Sequence, residues 1–370
     1  MKNNFVLRHL KQIGGEMIDI VVNNGIITEI TESGKGHAPV EWDGSGLYVS
    51  SGWIDMHVHA FQEFTPYGDE IDLIGVNQGV TTIVDAGSCG ADRIFELAAH
   101  ARQSKTRVFA FLNISTIGLQ RIDELSSLTW INKEKVLQTL RQDEGFIVGL
   151  KARISSSVVG NQGIKPLEIA LEMSDETGLP LMVHIGSAPP DIKEIVPLLR
   201  RKDIITHYLH GKNNNLFNES DEPLGILEEA IARGVHLDVG HGTASFSFRV
   251  AESAKKHGIH PDTISTDIYR GNRLNGPVYS MSCVLSKFLC LGYSLEDTIA
   301  AVTTSAARWL KRPELGRIQV GDPANLTLFS LSRNPLTFSD SQGQQRAADQ
   351  IIRAEGVVTG GEFIKCEVRT

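Results

Sequence analysis

Ser51-Gly-Trp-Ile-Asp-Met-His-Val-His-Ala60 is a short apolar run that ends in two histidines separated by one residue. Side chains two apart on a β-strand point to the same face, so His57 and His59 would stand side by side at the strand's C-terminal end. Two imidazoles so placed are a metal-ligand arrangement, although a single pair is equally an ordinary set of hydrogen-bonded histidines. The rest of the chain decides between the two.

Downstream, strand-like and helix-like stretches alternate. Residues 53–58, 80–85, 108–114, 146–152, 179–185, 203–207, 235–239 and 263–267 are apolar runs of strand length. Amphipathic stretches lie between them, at 92–101, 133–141, 166–173 and 227–233, and several are closed by glycine (Gly145, Gly178, Gly234, Gly258), the stop expected of a helix. Continuous apolar strands separated by helices suit a parallel sheet covered on both faces. The spacing predicts an α/β protein with a (β/α)8 TIM barrel over residues 51–317, whose active site must lie at the strand C-termini.

The two ends of the chain read differently. Ile18-Asp-Ile-Val-Val22 and Ile26-Ile-Thr-Glu-Ile30 flank Asn23-Asn-Gly25, a hairpin signal because Asn and Gly tolerate positive φ. Asn325-Leu-Thr-Leu-Phe329, Ile351-Ile-Arg353 and 356–365 are again short strands. Neither end could bury a β face alone, so residues 1–50 and 318–370 are expected to combine into one small β-sandwich domain with the barrel inserted between them. The polar segment 330–348 reads as a surface loop.

Composition narrows the function classes. The chain has 370 residues, 41% hydrophobic and 22% charged, with 36 basic against 44 acidic residues and a net charge of −8. An acidic balance leaves no footprint for nucleic acid. No segment approaches a membrane-spanning length, and the N-terminus lacks an apolar run of signal-peptide length, so a cytoplasmic protein acting on a small molecule is expected. Four scattered cysteines exclude a disulfide framework or a C-x-x-C zinc site. Leu and Phe in Ser286-Lys-Phe-Leu-Cys-Leu291 are expected to be exposed and offer a route to a homo-oligomer.

Polar residues recur where apolar runs give way to loops. After His57 and His59 come Phe146-Ile-Val-Gly-Leu-Lys151, Leu181-Met-Val-His184, Ile204-Ile-Thr-His207 and Ile264-Ser-Thr-Asp267. Singly, a strand histidine is satisfied by a carbonyl and a strand-end aspartate caps a helix. Six such residues at one rim of a barrel form a candidate metal site. Lys151 is the informative member: an ammonium cannot bind a metal, but a neutral lysine can add carbon dioxide to give a carbamate with two oxygen donors.

The set His57-x-His59, Lys151, His184, His207 and Asp267 resembles the binuclear amidohydrolase superfamily, which includes dihydroorotases, hydantoinases and isoaspartyl dipeptidases. Lys151-Ala-Arg-Ile-Ser155, 238–248 and Ser265-Thr-Asp-Ile-Tyr269 resemble more particularly its deacetylase subgroup. The resemblance implies two divalent ions, with zinc expected and manganese, iron or cobalt compatible. His57, His59 and Asp267 would hold the more buried ion, His184 and His207 the more exposed one, and carbamylated Lys151 would bridge them. A hydroxide shared by the ions would attack the substrate carbonyl, and Asp267 would pass its proton to the leaving group.

His210 rivals His207 as a ligand but already lies in the loop, which makes it a loop or substrate contact. His241 between Gly240 and Gly242, and Arg153 and Arg270 as partners for a carboxylate, are the other candidate substrate contacts. The expected function is hydrolysis of an amide or ester of a small acidic acylated compound. The alternatives are a cyclic amidohydrolase, an aminohydrolase of adenine-deaminase type, and a silent barrel that binds a partner. The aminohydrolase expects a glutamate near strand five, where Ile185-Gly-Ser-Ala follows His184. The silent barrel expects lost ligands, and all six are kept.

Overall fold

The computed structural model describes residues 4–143 and 145–367. The outermost residues of the expected terminal domain, 1–3 and 368–370, lie outside the described residues. Seven parallel strands, β1 (Trp53–Val58), β2 (Val80–Ala86), β3 (Arg107–Asn113), β4 (Ile147–Ile154), β5 (Leu181–Ile185), β6 (Ile204–Thr206) and β7 (His236–Asp238), neighbour one another in chain order. That succession is what repeated strand–helix crossovers produce, and the fold is the expected barrel. Every residue of β1 and β2 is buried, as a strand covered on both faces requires.

The eighth expected strand, 263–267, fills the remaining place but makes only single parallel pairings, Asp238 with Thr263 and Val58 with Ile268. Two features interrupt its ladder. The Thr266 N–H donates to the Asp55 carboxylate at 3.0 Å instead of to a backbone carbonyl. Asp267 has φ 51, a left-handed conformation that no extended ladder contains. Closure is completed by the Asp267 N–H donating to the His57 carbonyl at 2.7 Å and the His59 N–H to the Ile268 carbonyl at 3.0 Å.

The four amphipathic stretches are helices, Ile94–Ala101, Lys133–Gln142, Lys165–Thr177 and Gly225–Arg233. The last two stop at Gly178 and Gly234, whose φ of 67 and 84 place them in the left-handed cap position.

Both chain ends enter one eight-stranded sheet. Met17–Asn23 and Ile26–Glu32 pair antiparallel around Asn24 and Gly25, both at positive φ, as the Asn-Gly turn demands. Asn4–Gln12 pairs with Met17–Asn23 and with Tyr48–Ser51, and Tyr48–Ser51 pairs in turn with Leu326–Ser332. The terminal domain is therefore carried by one hydrogen-bonded sheet, from which Val40–Asp43 branches by pairing parallel with Asn4–Gln12. Phe5, Leu7, Ile20, Val49, Leu326 and Leu328 form its own core, separate from that of the barrel. Tyr48–Ser51 runs straight into β1 through Gly52, where a Cβ would come within 2.0 Å of Thr81 Oγ1.

Two local expectations are corrected. Segment 330–348 is not a loop: Leu336–Ser339 and Gln345–Ala348 form an antiparallel hairpin that buries Phe338 and Ala348, an apolar alternation hidden among polar neighbours. Residues 286–291 offer no exposed apolar face. Residues 286–290 belong to helix Met281–Cys290, which Leu291 caps; Phe288 is fully buried, and Leu289 and Leu291 pack against the barrel core.

Candidate active site

The six candidate ligands meet at the C-terminal mouth of the barrel, around a cavity of about 190 Å³. His57 and His184 stand next to the last residues of β1 and β5, Lys151 lies within β4, three residues before its end, and His59 and His207 lie just beyond β1 and β6. Nitrogen or oxygen atoms of His57, His207 and Asp267 lie within 4.8 Å of one another, close enough to share an ion. Asp267 Oδ1 is 3.4 Å from His57 Nε2 and 3.2 Å from His59 Nε2. The His184 and His207 rings meet edge to face with centroids 4.4 Å apart.

Hydrogen bonds behind the cluster fix which imidazole nitrogen is free. The Thr206 hydroxyl gives its proton to Asp238 Oδ2 at 2.7 Å, so its 2.9 Å contact with His57 Nδ1 requires that nitrogen to be the donor. His207 Nδ1 donates to the Gly240 carbonyl at 2.6 Å. Both rings are left with an Nε2 lone pair, the tautomer that binds a metal. His59 Nδ1 shares a 2.9 Å hydrogen bond with Ser88 Oγ, and Ser88 is held by its N–H donating to Asp85. Asp238 is fully buried. Burial works against its charge, but the nearby His57 ring, 3.7 Å away, and the hydrogen bonds that the Thr206 and Ser265 hydroxyls donate prevail and hold its carboxyl below the usual range.

The charges follow from this packing. Burial pushes His57 down to about 4 and keeps His184 and His207 well below the ordinary imidazole value, so all three are neutral at neutral pH. Burial opposes ionisation of Asp267 as well, yet His57, His59 and His207 around it hold its carboxyl far below the usual carboxylate range. Lys151 is buried with Nζ 3.2 Å from Met182 Sδ and 3.5 Å from His57 Nε2, and among the described residues no carboxylate lies at hydrogen-bond distance from it. Burial lowers it to about 7, where the neutral amine is accessible.

The backbone is shaped for the cluster. His207 and Asp267 both have positive φ, at 71 and 51, a costly conformation for residues with side chains. The turn 240–242 closes over both: a Cβ on Gly240 would come 2.7 Å from His207 Nδ1, and one on Gly242 would come 2.3 Å from Asp267 Oδ2. Glycine is required there by the approach of backbone to the cluster itself.

The proposed substrate contacts divide. Arg153 lines the cavity, with Nη1 donating to Glu124 at 3.0 Å. His210, His241 and Arg270 are not among its lining residues. His241 is buried, its Nδ1 donating to the Gly242 carbonyl at 2.9 Å and its Nε2 accepting from Lys287 Nζ at 2.8 Å. His210 is buried and accepts from the Lys212 N–H at 3.2 Å. Arg270 lies 3.7 Å from Asp69, which also takes a two-pronged ion pair from Arg273. Tyr67, Lys212, Thr243, Ser245 and Tyr269 also line the wall and escape a reading of the sequence. They sit on loops without periodicity, and only the proximity of Tyr269 to Asp267 in the chain could have drawn attention to one of them.

Comparison with known proteins agrees with this geometry. The sequence profile of the Amidohydrolase family matches residues 48–353. A deacetylase from Enterococcus faecalis is 38% identical over 367 residues, covering 98% of this chain and 99% of that protein. A solved adenine deaminase superposes with a TM-score of 0.93 at 38% identity, over 98% of this chain and 99% of the other. A solved dihydroorotase gives a TM-score of 0.93 at 30% identity, over 100% and 99%. With the profile spanning barrel and flanking strands and a relative matching end to end, the chain belongs to the Amidohydrolase family.

Proposed function

We propose that this member hydrolyses the acyl bond, amide or ester, of a small acylated compound, a deacetylase-type reaction in which water adds across the bond to release an acid and an amine or alcohol. The observation that carries it is the end-to-end similarity to a protein described as a deacetylase. The donor set supports metal dependence: neutral imidazoles with free Nε2 atoms beside an ionised aspartate. His57, His59 and Asp267 would hold one divalent ion, and His184 and His207 a second. A buried lysine that no carboxylate of the described residues hydrogen-bonds supports its conversion to a carbamate, in which the amine adds carbon dioxide and loses one proton. When bound, the ions, with zinc expected, supply an electrophile for the carbonyl and acidify water from 15.7 to about 7.

The chain's own groups then have distinct tasks. Asp267, ionised in the cavity, accepts a proton from the attacking water and returns it to the departing nitrogen or oxygen. Tyr67, Thr243 and Tyr269 in the cavity wall shape the space the substrate occupies. Ring opening of a cyclic amide is the second reading, supported by the likeness to a dihydroorotase. Asp267 is the one carboxylate lining the cavity among the described residues, which weighs against an aminohydrolase that needs another.

Metal content by elemental mass spectrometry, with bicarbonate present, tests the centre. Two equivalents per chain are expected in the wild type, falling to one or none in Lys151→Ala. A panel of N-acetyl amino acids, O-acetyl hydroxy acids, dihydroorotate and adenine then separates the activities. One equivalent unaffected by the substitution would make Lys151 an ordinary lysine, and turnover of adenine alone would overturn the acyl reading.

A further inference from the structure

Four cationic or anionic side chains line the cavity besides the histidines: Lys151, Arg153, Lys212 and Asp267. Three are already committed. Lys151 lies against His57 and Met182, and Asp267 against His57 and His59. Arg153 is 3.0 Å from Glu124, whose carboxylate is fully buried and also accepts from Asn113 Nδ2 at 3.4 Å. Removing Arg153 from that pair would strand a buried charge, so its guanidinium is not free to neutralise a ligand. Lys212 differs: it is half-buried, and among the described residues no hydrogen bond or ion pair holds its Nζ.

Its loop is built, not loose. The His210 N–H donates to the His207 carbonyl at 3.0 Å, and the Lys212 N–H donates to His210 Nδ1 at 3.2 Å. Asn214 Nδ2 donates to the Gly186 and Pro190 carbonyls at 2.9 and 3.1 Å. From the other side Gln342 Nε2 donates to the Gly211 carbonyl at 3.0 Å, packed so closely that a Cβ on Gly211 would meet its Oε1 at 2.3 Å. Buried His210 thus ties the position of Lys212 to that of His207. An unpaired ammonium carried into the cavity from a fixed backbone is a poor arrangement for the empty protein and a favourable one once an anion arrives.

We propose that Lys212 is the specificity-determining contact for a carboxylate on the leaving side of the substrate, so that the enzyme acts on acylated acids such as N-acyl amino acids or O-acyl hydroxy acids. This rests on the acyl-hydrolase function proposed above. The carboxylate takes no part in bond cleavage; it docks on the ammonium while the acyl carbonyl lies toward the histidine cluster.

The test compares each N-acetyl amino acid that the metal-loaded wild type hydrolyses with its neutral C-terminal carboxamide, in wild type, Lys212→Ala and Lys212→Arg. The wild type is expected to favour the carboxylate at least tenfold in kcat/KM. Lys212→Ala should lose 10- to 100-fold on the carboxylate, chiefly through KM, while the carboxamide changes by less than twofold; Lys212→Arg should recover part of the loss. Equal losses on both substrates would assign Lys212 a merely structural role, and no loss on either would remove it from recognition. Those results overturn this inference and leave the hydrolase standing. A wild type inactive on every acetylated acid and carboxamide would overturn the hydrolytic reading and this one with it.

Discussion

Asp267 carries the conflict of roles at the residue scale. Its Oδ1 faces His57 and His59 at 3.4 and 3.2 Å, as a ligand's would, and the same carboxylate is the group available to move a proton. The surrounding imidazoles keep it ionised against its burial, which suits an acceptor of protons and a donor of electron pairs alike. The two tasks separate in Asp267→Asn. The amide keeps an oxygen at the same position and fits the same space beside Gly242, but it cannot accept a proton. Elemental analysis should find most of the metal retained, while kcat falls by roughly 10²- to 10⁴-fold, the range for losing a general acid–base. A fully active variant would take the proton away from Asp267.

At the scale of elements, the turn 240–242 is held against the cluster by a side chain from a distant helix. Lys287, in Met281–Cys290, is buried and spends its three N–H bonds on His241 Nε2 at 2.8 Å, the Pro277 carbonyl at 2.9 Å and the Ser339 carbonyl at 2.8 Å. Burial lowers it to about 8 from 10.5. In Lys287→Met two effects compete. Relief of the buried charge returns roughly 3 kcal/mol for such a displacement, whereas three orphaned acceptors cost about 1–3 kcal/mol each. The orphaned groups win, so denaturant unfolding should show a net loss of a few kcal/mol, with weaker metal retention as the turn over His207 and Asp267 loosens. An unchanged unfolding midpoint would mean that the contacts carry no net stability. This network also shows what the sequence could not disclose. The ligand candidates were legible because each ends an apolar run whose period a strand imposes. The partner of His241 lies 46 residues on, in a helix whose packing no local pattern reveals. The hairpin of Leu336–Ser339 and Gln345–Ala348 was invisible for the same reason: it is stabilised by Asp340 accepting from the Phe248 N–H at 2.9 Å and by Ser341 on Phe246, contacts made only once the barrel exists. The break at Asp267 in the eighth strand likewise comes from Asp55, buried on β1, taking the Thr266 N–H.

For the whole molecule, the cost of burying so many imidazoles predicts how stability varies with pH. His57 and His210 are pushed down to about 4 and about 3 by burial, and His184, His207 and His241 are lowered by the same cause. In the unfolded chain these rings take up protons near pH 6.5. Each therefore contributes stability that is full above about pH 6.5 and is lost as pH falls toward its folded value. Asp55 acts with the opposite sign. Burial raises it to about 7, so it keeps a proton that the unfolded chain releases near pH 3.9, and its contribution fades as pH rises through about 7. The lowered Asp238 and Asp267 lose their contributions only below about pH 3.9. Glu124, which burial also raises, adds a second opposing carboxyl, but between pH 6.5 and 4 the imidazoles outnumber the two, and each imidazole forfeits roughly 2 kcal/mol between pH 7 and 5 if its folded value stays below that interval. Chelator-treated protein should accordingly unfold at a clearly lower urea concentration at pH 5 than at pH 7. Adding metal should shrink the difference, because an ion on Nε2 competes with the proton, but it should not abolish it, because His210 and His241 stand outside the ligand set. A midpoint equal or higher at pH 5 in the chelated protein would show that these rings are not held neutral, and the lone-pair geometry assigned to the cluster would fall with it.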